Sequence, residues 1–249
     1  ASKLDGLAML KLEGVYIKRG SFNVLDNINL SLPAGKTLAV VGESGAGKST
    51  LVAAILGLLK LSRGNITWSD APVSESAPAL VMQEPRSAFN PALPLRRSVL
   101  EPLTARKAKV PWDRIERLCH GLELPIEILD RRPSEVSIGQ AQRVGILRAL
   151  IDVPPLVLFD EPLSALDAVS QKHTAKLIAD LQRAEGFAAL IVTHDIGYAV
   201  AHSDEIAVLK SGRLDEVTTP EAFAQQPKSD YCRTLRDAAI ALGALERVE

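Results

Sequence analysis

The feature that most constrains the fold of this chain is an eight-residue segment rich in glycine. It reads Gly42-Glu43-Ser44-Gly45-Ala46-Gly47-Lys48-Ser49 and matches the pattern G-x-x-x-x-G-K-[ST]. An apolar run over residues 37–41 precedes it and a helical pattern runs from residue 48 to about residue 58, so the segment joins a predicted strand to a predicted helix. Glycines let backbone N–H groups turn toward an anion, and the helix N-terminus adds unpaired N–H donors. The segment therefore predicts a loop that binds nucleotide phosphates.

The side chains of this loop have separate expected roles. Lys48 can reach the β- and γ-phosphates as a point charge, and the Ser49 hydroxyl can bind Mg²⁺. The nucleotide-binding residues that we predict here are Gly42, Glu43, Ser44, Gly45, Ala46, Gly47, Lys48, Ser49 and Thr50. The alternative is a glycine-rich turn that matches the pattern by chance, and the predicted strand and helix on either side argue against it.

Two adjacent acids follow a second apolar run. Asp160 and Glu161 come directly after residues 156–159, and charged side chains are rarely placed at the end of a buried strand without a partner. In enzymes with such a loop, the first acid holds Mg²⁺ and the next can orient the attacking water. We therefore assign Asp160 to the metal and Glu161 to general-base catalysis. The alternative is an acid pair that faces solvent.

A histidine follows a third apolar run. His194 comes after residues 190–193, and we expect this strand to lie parallel to the strand that ends at Asp160. The carboxyl ends of parallel strands meet at one edge of a sheet, where ligands bind in open α/β folds. This position favours a site residue, whereas an isolated histidine is more often an ordinary surface or core residue.

The composition limits the classes of partner. Of the 249 residues, 47% are hydrophobic and 24% are charged, and the net charge is −1. This balance is ordinary for a soluble globular enzyme and provides no basic surface for nucleic acid or an anionic membrane. The apolar stretches are far shorter than the ~20 residues that span a bilayer. Cys119 and Cys232 lie far apart without metal-ligand spacing, so we expect two structural thiols.

Strand and helix patterns alternate along the chain, which predicts an α/β fold. Residues 96–128 are mainly helical and could form a separate lobe, and the segment 69–78 is predicted to be a loop. The other predicted elements are strands at residues 10–12, 28–32, 156–159 and 188–193, a helix at 170–185, and a hairpin of strands at 205–210 and 213–217.

Several further segments resemble the motifs of ABC ATPases, in the order in which that family carries them. Val136-Ser137-Ile138-Gly139-Gln140 is similar to the ABC signature, which separates these enzymes from other proteins with the same phosphate loop. Gln83 resembles the Q-loop glutamine, residues 164–167 the D-loop, and His194 the switch histidine. Taken without the family, Gln83 would be an ordinary polar loop residue and residues 164–167 a helix N-cap turn.

The resemblance implies a fold, a set of cofactors and a set of partners. The fold is a P-loop NTPase core of ABC ATPase type, with a small helical lobe near residues 90–150 and an antiparallel β lobe, in one domain over residues 1–249 with a tail from 218. ATP and Mg²⁺ are the implied cofactors. Gln83 and His194 join Glu161 as catalytic residues, Gln83 also contacts the metal, and Ser137, Gly139 and Gln140 contact a nucleotide held by a second ATPase subunit.

The same family pattern places the protein at a membrane. Transmembrane permease subunits are the implied partners, with their coupling helices on residues 83–102. The chain would lie at the cytoplasmic face of the inner membrane and touch it only through those subunits. Non-transport ABC ATPases and catalytically weak nucleotide-binding regulatory modules are the alternatives. Neither a second cassette nor a long coiled-coil insertion is evident, and Asp160, Glu161 and His194 are all present.

Three segments narrow the resemblance to the nickel, oligopeptide and dipeptide importers. They are residues 83–91, residues 129–133 before the signature and residues 226–235 near the end. This group implies nickel, another metal complex or peptides as the solute. It also implies two different ATPase chains in the working complex, although a homodimer is the open alternative. A four-cysteine tail is absent from the sequence, so no iron–sulfur cluster is expected.

Two positions depart from the family pattern. Arg19 stands where an aromatic residue usually stacks on adenine. We assign that contact to Tyr16, with Phe22 or Arg19 itself as alternatives. Ile138 stands where the signature usually has glycine. It would be strained if the position needs a positive φ, or harmless if its side chain points away from the nucleotide, which we expect.

Overall fold

The computed structural model describes residues 8–245, and the strands form two sheets. The smaller sheet has four antiparallel strands in the order β2-β1-β4-β5. Its members are β1 (Met9–Arg19), β2 (Phe22–Pro33), β4 (Arg63–Trp68) and β5 (Ala71–Pro72). The predicted strands at residues 10–12 and 28–32 are confirmed as parts of β1 and β2.

The larger sheet has six strands in the order β10-β9-β3-β8-β7-β6. These strands are β3 (Thr37–Val41), β6 (Ala79–Val81), β7 (Leu156–Asp160), β8 (Ala188–Val192), β9 (Glu205–Lys210) and β10 (Arg213–Thr218). All neighbours are parallel except β10, which pairs antiparallel with β9 in the predicted hairpin. All five residues of β3 and of β8 are buried, as expected for parallel strands covered on both faces.

Eight α-helices surround these sheets in the described part of the chain. They are α1 (Lys48–Ile55), α2 (Leu95–Ala105), α3 (Trp112–Gly121), α4 (Ile138–Leu150), α5 (Ala168–Glu185), α6 (Ile196–His202), α7 (Pro220–Gln225) and α8 (Asp230–Ala241). One apolar cluster joins α2, α3 and α4 to the large sheet, a second lies between the two sheets around α1, and a third lies under α6, α7 and α8. The predicted α/β fold, with a helical part and an antiparallel part, is confirmed.

The structure corrects two predicted segments. The helix that begins at Lys48 ends at Ile55 rather than near residue 58. Gly57 has φ +71°, its N–H donates to Ala54, and the next N–H donates to Ala53, which is the Schellman ending. Residues 69–78 are not a plain loop, because Ser69 and Asp70 both have positive φ and form the tight turn of the β4–β5 hairpin, and a 3-10 turn follows it.

The topology brings the predicted site together at one edge of the large sheet. β3 lies directly beside β8, and β8 lies directly beside β7, all three parallel. The residues that follow their carboxyl ends are Gly42 after β3, Glu161 after β7 and His194 two residues after β8. No helix within residues 8–245 is long and apolar enough to cross a membrane.

Candidate active site

The phosphate loop after β3 depends on glycine for a steric reason. A Cβ on Gly42 would lie 2.1 Å from the carbonyl oxygen of Leu209, so only glycine lets the loop pass this close to β9. Gly47 has φ +107°, and a Cβ there would lie 3.0 Å from the side chain of Leu25. The N–H of Gly212 donates to the Ala46 carbonyl at 2.9 Å and so ties the loop to the β9–β10 turn.

Lys48 and the start of α1 provide the positive end of the site. The Lys48 side chain is buried, and its Nζ donates to the carbonyl oxygens of Gly42 at 2.6 Å and Glu43 at 3.0 Å. No side chain caps the N-terminus of α1, since the N-cap residue is Gly47. The first N–H groups of α1 are therefore available to an anion, and the helix dipole favours negative charge there.

The two acids at the end of β7 differ in environment. Burial raises the pKa of Asp160, the neighbouring Glu161 raises it further, and Lys48 acts in the opposite direction. Glu161 has φ +50°, a left-handed conformation that is uncommon outside glycine. Its N–H donates to Val192 on β8 at 2.9 Å, and its carbonyl accepts from the N–H and hydroxyl of Ser164. These backbone bonds hold Glu161 in place at the strand end.

His194 contacts Glu161 directly. The Nδ1 atom of His194 lies 2.6 Å from Oε2 of Glu161. The glutamate side chain is only 14% exposed, whereas the histidine side chain is 69% exposed. The pair therefore places a largely buried carboxylate behind an accessible imidazole, within hydrogen-bond distance of it.

A cavity of about 520 Å³ joins these groups, a size within the range of nucleotide and cofactor sites. Its walls include predicted residues from the phosphate loop, Gln83, the acid pair and His194. They also include Arg19, an alternative for the adenine contact, and two residues that we did not assign to the site. The predicted wall residues are Ser44, Gly45, Gly47, Lys48, Ser49, Thr50, Gln83, Asp160, Glu161 and His194, and the others are Arg19, Val24 and Val192. Gly42, Glu43 and Ala46 belong to the loop without lining the cavity. Val24 is an ordinary apolar residue of β2 that no motif singles out in the sequence, and it lines the cavity because of its position in β2.

Three of these wall residues fit a Mg²⁺ ion. Ser49, Gln83 and Asp160 all carry side-chain oxygens and line the same cavity. Hard divalent cations take oxygen ligands, and a cation would neutralise the charge of Asp160 beside Glu161. The chemistry of these residues therefore fits the ion, and their assignment to it stays a prediction.

The cavity does not support the assignment of Tyr16 to adenine. Tyr16 is absent from the cavity wall, and its ring lies 5.9 Å from the Arg63 guanidinium across the β1–β4 pair. Phe22 is 78% exposed at the start of β2 and is also absent from the wall. Arg19, the last residue of β1, is the candidate of the three that lines the cavity.

The signature segment forms the start of α4, away from this cavity. Ser137 caps the helix: its hydroxyl accepts from Gln140 N at 3.1 Å, while its own N–H donates to the Gln140 side chain at 3.0 Å. Ser137, Gly139 and Gln140 do not line the cavity. Ile138 is the first residue of α4 and does not have a positive φ. The residue is 43% exposed. The position therefore imposes no backbone strain on isoleucine within the chain.

The fold and this site define a class of protein. A glycine-rich loop between a parallel strand and a helix, a buried lysine, and acids on a nearby parallel strand make a P-loop nucleoside triphosphatase.

Comparison with known proteins gives the family. Residues 25–164 match the model of the ABC transporter family. The chain is 33% identical over 232 residues to the oligopeptide transport ATP-binding protein OppF of Escherichia coli, an alignment that covers 88% of this chain and 70% of OppF. It is 34% identical over 223 residues to the probable D,D-dipeptide transport ATP-binding protein DdpF of the same species, covering 88% and 71%. The chain therefore belongs to the ABC transporter ATP-binding proteins.

A solved structure agrees with this assignment. The ATP-binding cassette MJ0796, in a dimeric post-hydrolysis state bound to ADP and Pi, superposes with a TM-score of 0.71 at 29% identity and covers 85% of this chain and 98% of its own. The chain is an ATPase, and its hydrolysis of ATP drives transport.

Proposed function

We propose that this chain powers peptide import as one of two ATPase subunits beneath a membrane permease. The observation that carries the solute class is its likeness to the two ATP-binding proteins named for oligopeptide and D,D-dipeptide transport. The importer-like segments at residues 83–91 and 226–235 support the same group. Nickel, which the sequence resemblance also allows, has no support from these two relatives.

The proposed chemistry is in-line attack of water on the γ-phosphate. Lys48 and the N–H groups of the loop bind the β- and γ-phosphates, and Glu161 takes the proton of the attacking water. His194, bonded to Glu161 at 2.6 Å and open to the cavity, holds that carboxylate and can contact the γ-phosphate. When bound, Mg²⁺ neutralises phosphate charge. Ser49, Gln83 and Asp160 would hold it.

Arg19 is the residue that we propose for the adenine ring. Its planar guanidinium can lie flat on an aromatic base, and it lines the cavity together with Val24. Tyr16 instead pairs with Arg63 across β1 and β4 and does not line the cavity.

The signature residues act on a second subunit in this proposal. Ser137 is exposed at the start of α4 and does not line the chain's own cavity. In a head-to-tail pair, the N-terminus of α4 would face the phosphate held by the partner's loop, where N–H donors favour an anion. Residues 1–249 then act as one ABC ATPase domain.

The permease contact is proposed on residues 83–102, near the start of the helical part. Leu93 in this segment is 42% exposed, and Met82 directly before it is 40% exposed, so apolar surface is available to a partner helix. The chain would lie at the cytoplasmic face of the inner membrane and touch it only through the permease subunits.

The test is ATPase activity of the complete transporter in proteoliposomes. The complex is purified with its permease and second ATPase subunit and supplied with its solute-binding protein, loaded with a peptide mixture or with a nickel chelate. We expect the peptide-loaded protein to raise Mg²⁺-dependent hydrolysis and the nickel chelate to have no effect. Stimulation by nickel alone would contradict the peptide assignment, and a complex without ATPase activity in either case would contradict the transport ATPase itself.

A further inference from the structure

The start of helix α8 is hydrogen-bonded to the β9–β10 hairpin, whose turn contacts the phosphate loop. Both Lys228 and Ser229 donate their backbone N–H groups to Oε2 of Glu216 on β10, at 3.0 Å each. The Ser229 hydroxyl caps the helix by accepting from Cys232 N at 2.9 Å and also bonds to Asp215. These bonds hold the start of α8 against β10.

The first turn of α8 then places Tyr231 against the phosphate loop. The Tyr231 hydroxyl accepts a hydrogen bond from the backbone N–H of Glu43 at 3.1 Å. The Nζ of Lys210, the last residue of β9, lies 4.5 Å from the centre of the tyrosine ring. The side chain is 8% exposed and packs in the apolar cluster under α6, α7 and α8. Burial raises the pKa of Tyr231, so its hydroxyl stays protonated at neutral pH.

Apart from the bond to Tyr231, the backbone of Glu43 makes two hydrogen bonds, and one of them involves the side chain of Lys48. Its carbonyl accepts from Lys48 Nζ at 3.0 Å and from Ala46 N at 3.2 Å. Lys48 must turn toward a phosphate to bind it, and its bonds to the loop carbonyls are then shared or lost. The bond from Glu43 N to Tyr231 does not involve Lys48, so a movement of Lys48 does not by itself break it.

We propose that Tyr231 is a positioning residue for nucleotide binding: it holds the first peptides of the phosphate loop in the conformation that receives phosphate. The inference rests on the proposed binding of nucleotide phosphates at residues 42–50. It makes the affinity of the loop for nucleotide depend on a segment near the end of the chain. Without this bond, part of the binding free energy is spent on ordering the loop.

The test compares two tyrosine-to-phenylalanine variants of the full chain. Tyr231→Phe removes only the hydroxyl that accepts from Glu43. Tyr198→Phe is the matched control, because Tyr198 is equally buried and its hydroxyl has no hydrogen-bond partner within residues 8–245. Binding of Mg²⁺–ADP, which is not hydrolysed, is measured by isothermal titration calorimetry. We expect Tyr231→Phe to weaken it by about threefold to tenfold, the range that one net hydrogen bond provides, and the control to leave it unchanged.

Two further readouts separate positioning from general stability. Hydrogen exchange at the Glu43 amide should accelerate in Tyr231→Phe and not in Tyr198→Phe. In steady-state hydrolysis the KM for ATP should rise while kcat is unchanged, because the loop binds the ground state and the transition state alike. Equal ADP affinity in the two variants, with normal binding by the unaltered chain, would overturn the inference. Absence of ADP binding by the unaltered chain would overturn the proposed site as well.

Discussion

Glu161→Gln is the substitution that most directly tests the chemistry of the site. The change keeps the size of the side chain and removes the base, and the carboxylate that it replaces is 14% exposed and bonded to His194 at 2.6 Å. A positioned general base contributes about 10²- to 10⁴-fold to a rate. At about 1.36 kcal/mol for each factor of ten, the barrier should rise by about 2.7 to 5.4 kcal/mol.

Nucleotide binding should survive the same change. The phosphates contact the loop and Lys48, and Glu161 lies across the cavity at the end of β7. Loss of a negative charge near the γ-phosphate should leave ATP affinity unchanged or increase it.

The assay is single-turnover hydrolysis of ATP at the site that this chain's loop builds, with ATP affinity measured in parallel. Glu205→Gln is the control for loss of one acidic charge, because Glu205 is exposed at the start of β9 and does not line the cavity. Single-turnover rates within about threefold of the unaltered chain, less than 0.7 kcal/mol in barrier terms, would refute the assignment of Glu161 as base.

Three other substitutions, together with one control variant, test the loop and the signature. Lys48→Ala should abolish tight ATP binding in an equilibrium titration, because it removes the buried cation of the loop, and normal affinity would contradict the assignment. Gly42→Ala should also abolish binding, since the added Cβ would lie 2.1 Å from the Leu209 oxygen. Gly57→Ala, at another positive φ but with no atom within 4 Å, should lower stability without abolishing binding. Ile138→Gly should change the ATPase rate of the assembled transporter by less than about threefold, ~0.7 kcal/mol, because the residue has no positive φ; a tenfold gain would show an impaired signature.

The parts of the site that the sequence predicts are those with local signals. The loop at residues 42–49 has a fixed spacing and a strand and helix on either side, and the acids after β7 end a wholly apolar run. The expected parallel pairing of β7 with β8 is confirmed, and it brings His194 to Glu161 because the carboxyl ends of parallel strands share one sheet edge.

The parts that the sequence misses depend on geometry that no local pattern encodes. The sequence offers Tyr16, Phe22 and Arg19 for the adenine contact, and only the fold shows that Tyr16 lies beside Arg63 while Arg19 lines the cavity. The turn at Ser69 and Asp70 lacks the glycine or asparagine that usually marks such a turn. Tyr231 reaches Glu43 across most of the length of the chain, a contact that requires the tertiary fold.

The central place of β3 in its sheet has a consequence for biosynthesis. β3 precedes the phosphate loop, yet both of its neighbours, β8 and β9, come from the last third of the chain. As the chain leaves the ribosome, β3 and the phosphate loop are made early. β3 has both of its neighbouring strands only after residue 210, the end of β9, has emerged. Such non-local pairing folds slowly, and an emerging β3 exposes unpaired edges that favour aggregation. Nucleotide can stabilise the site only after β9 has emerged, so a protein truncated before β9 should gain no protection from ATP during folding.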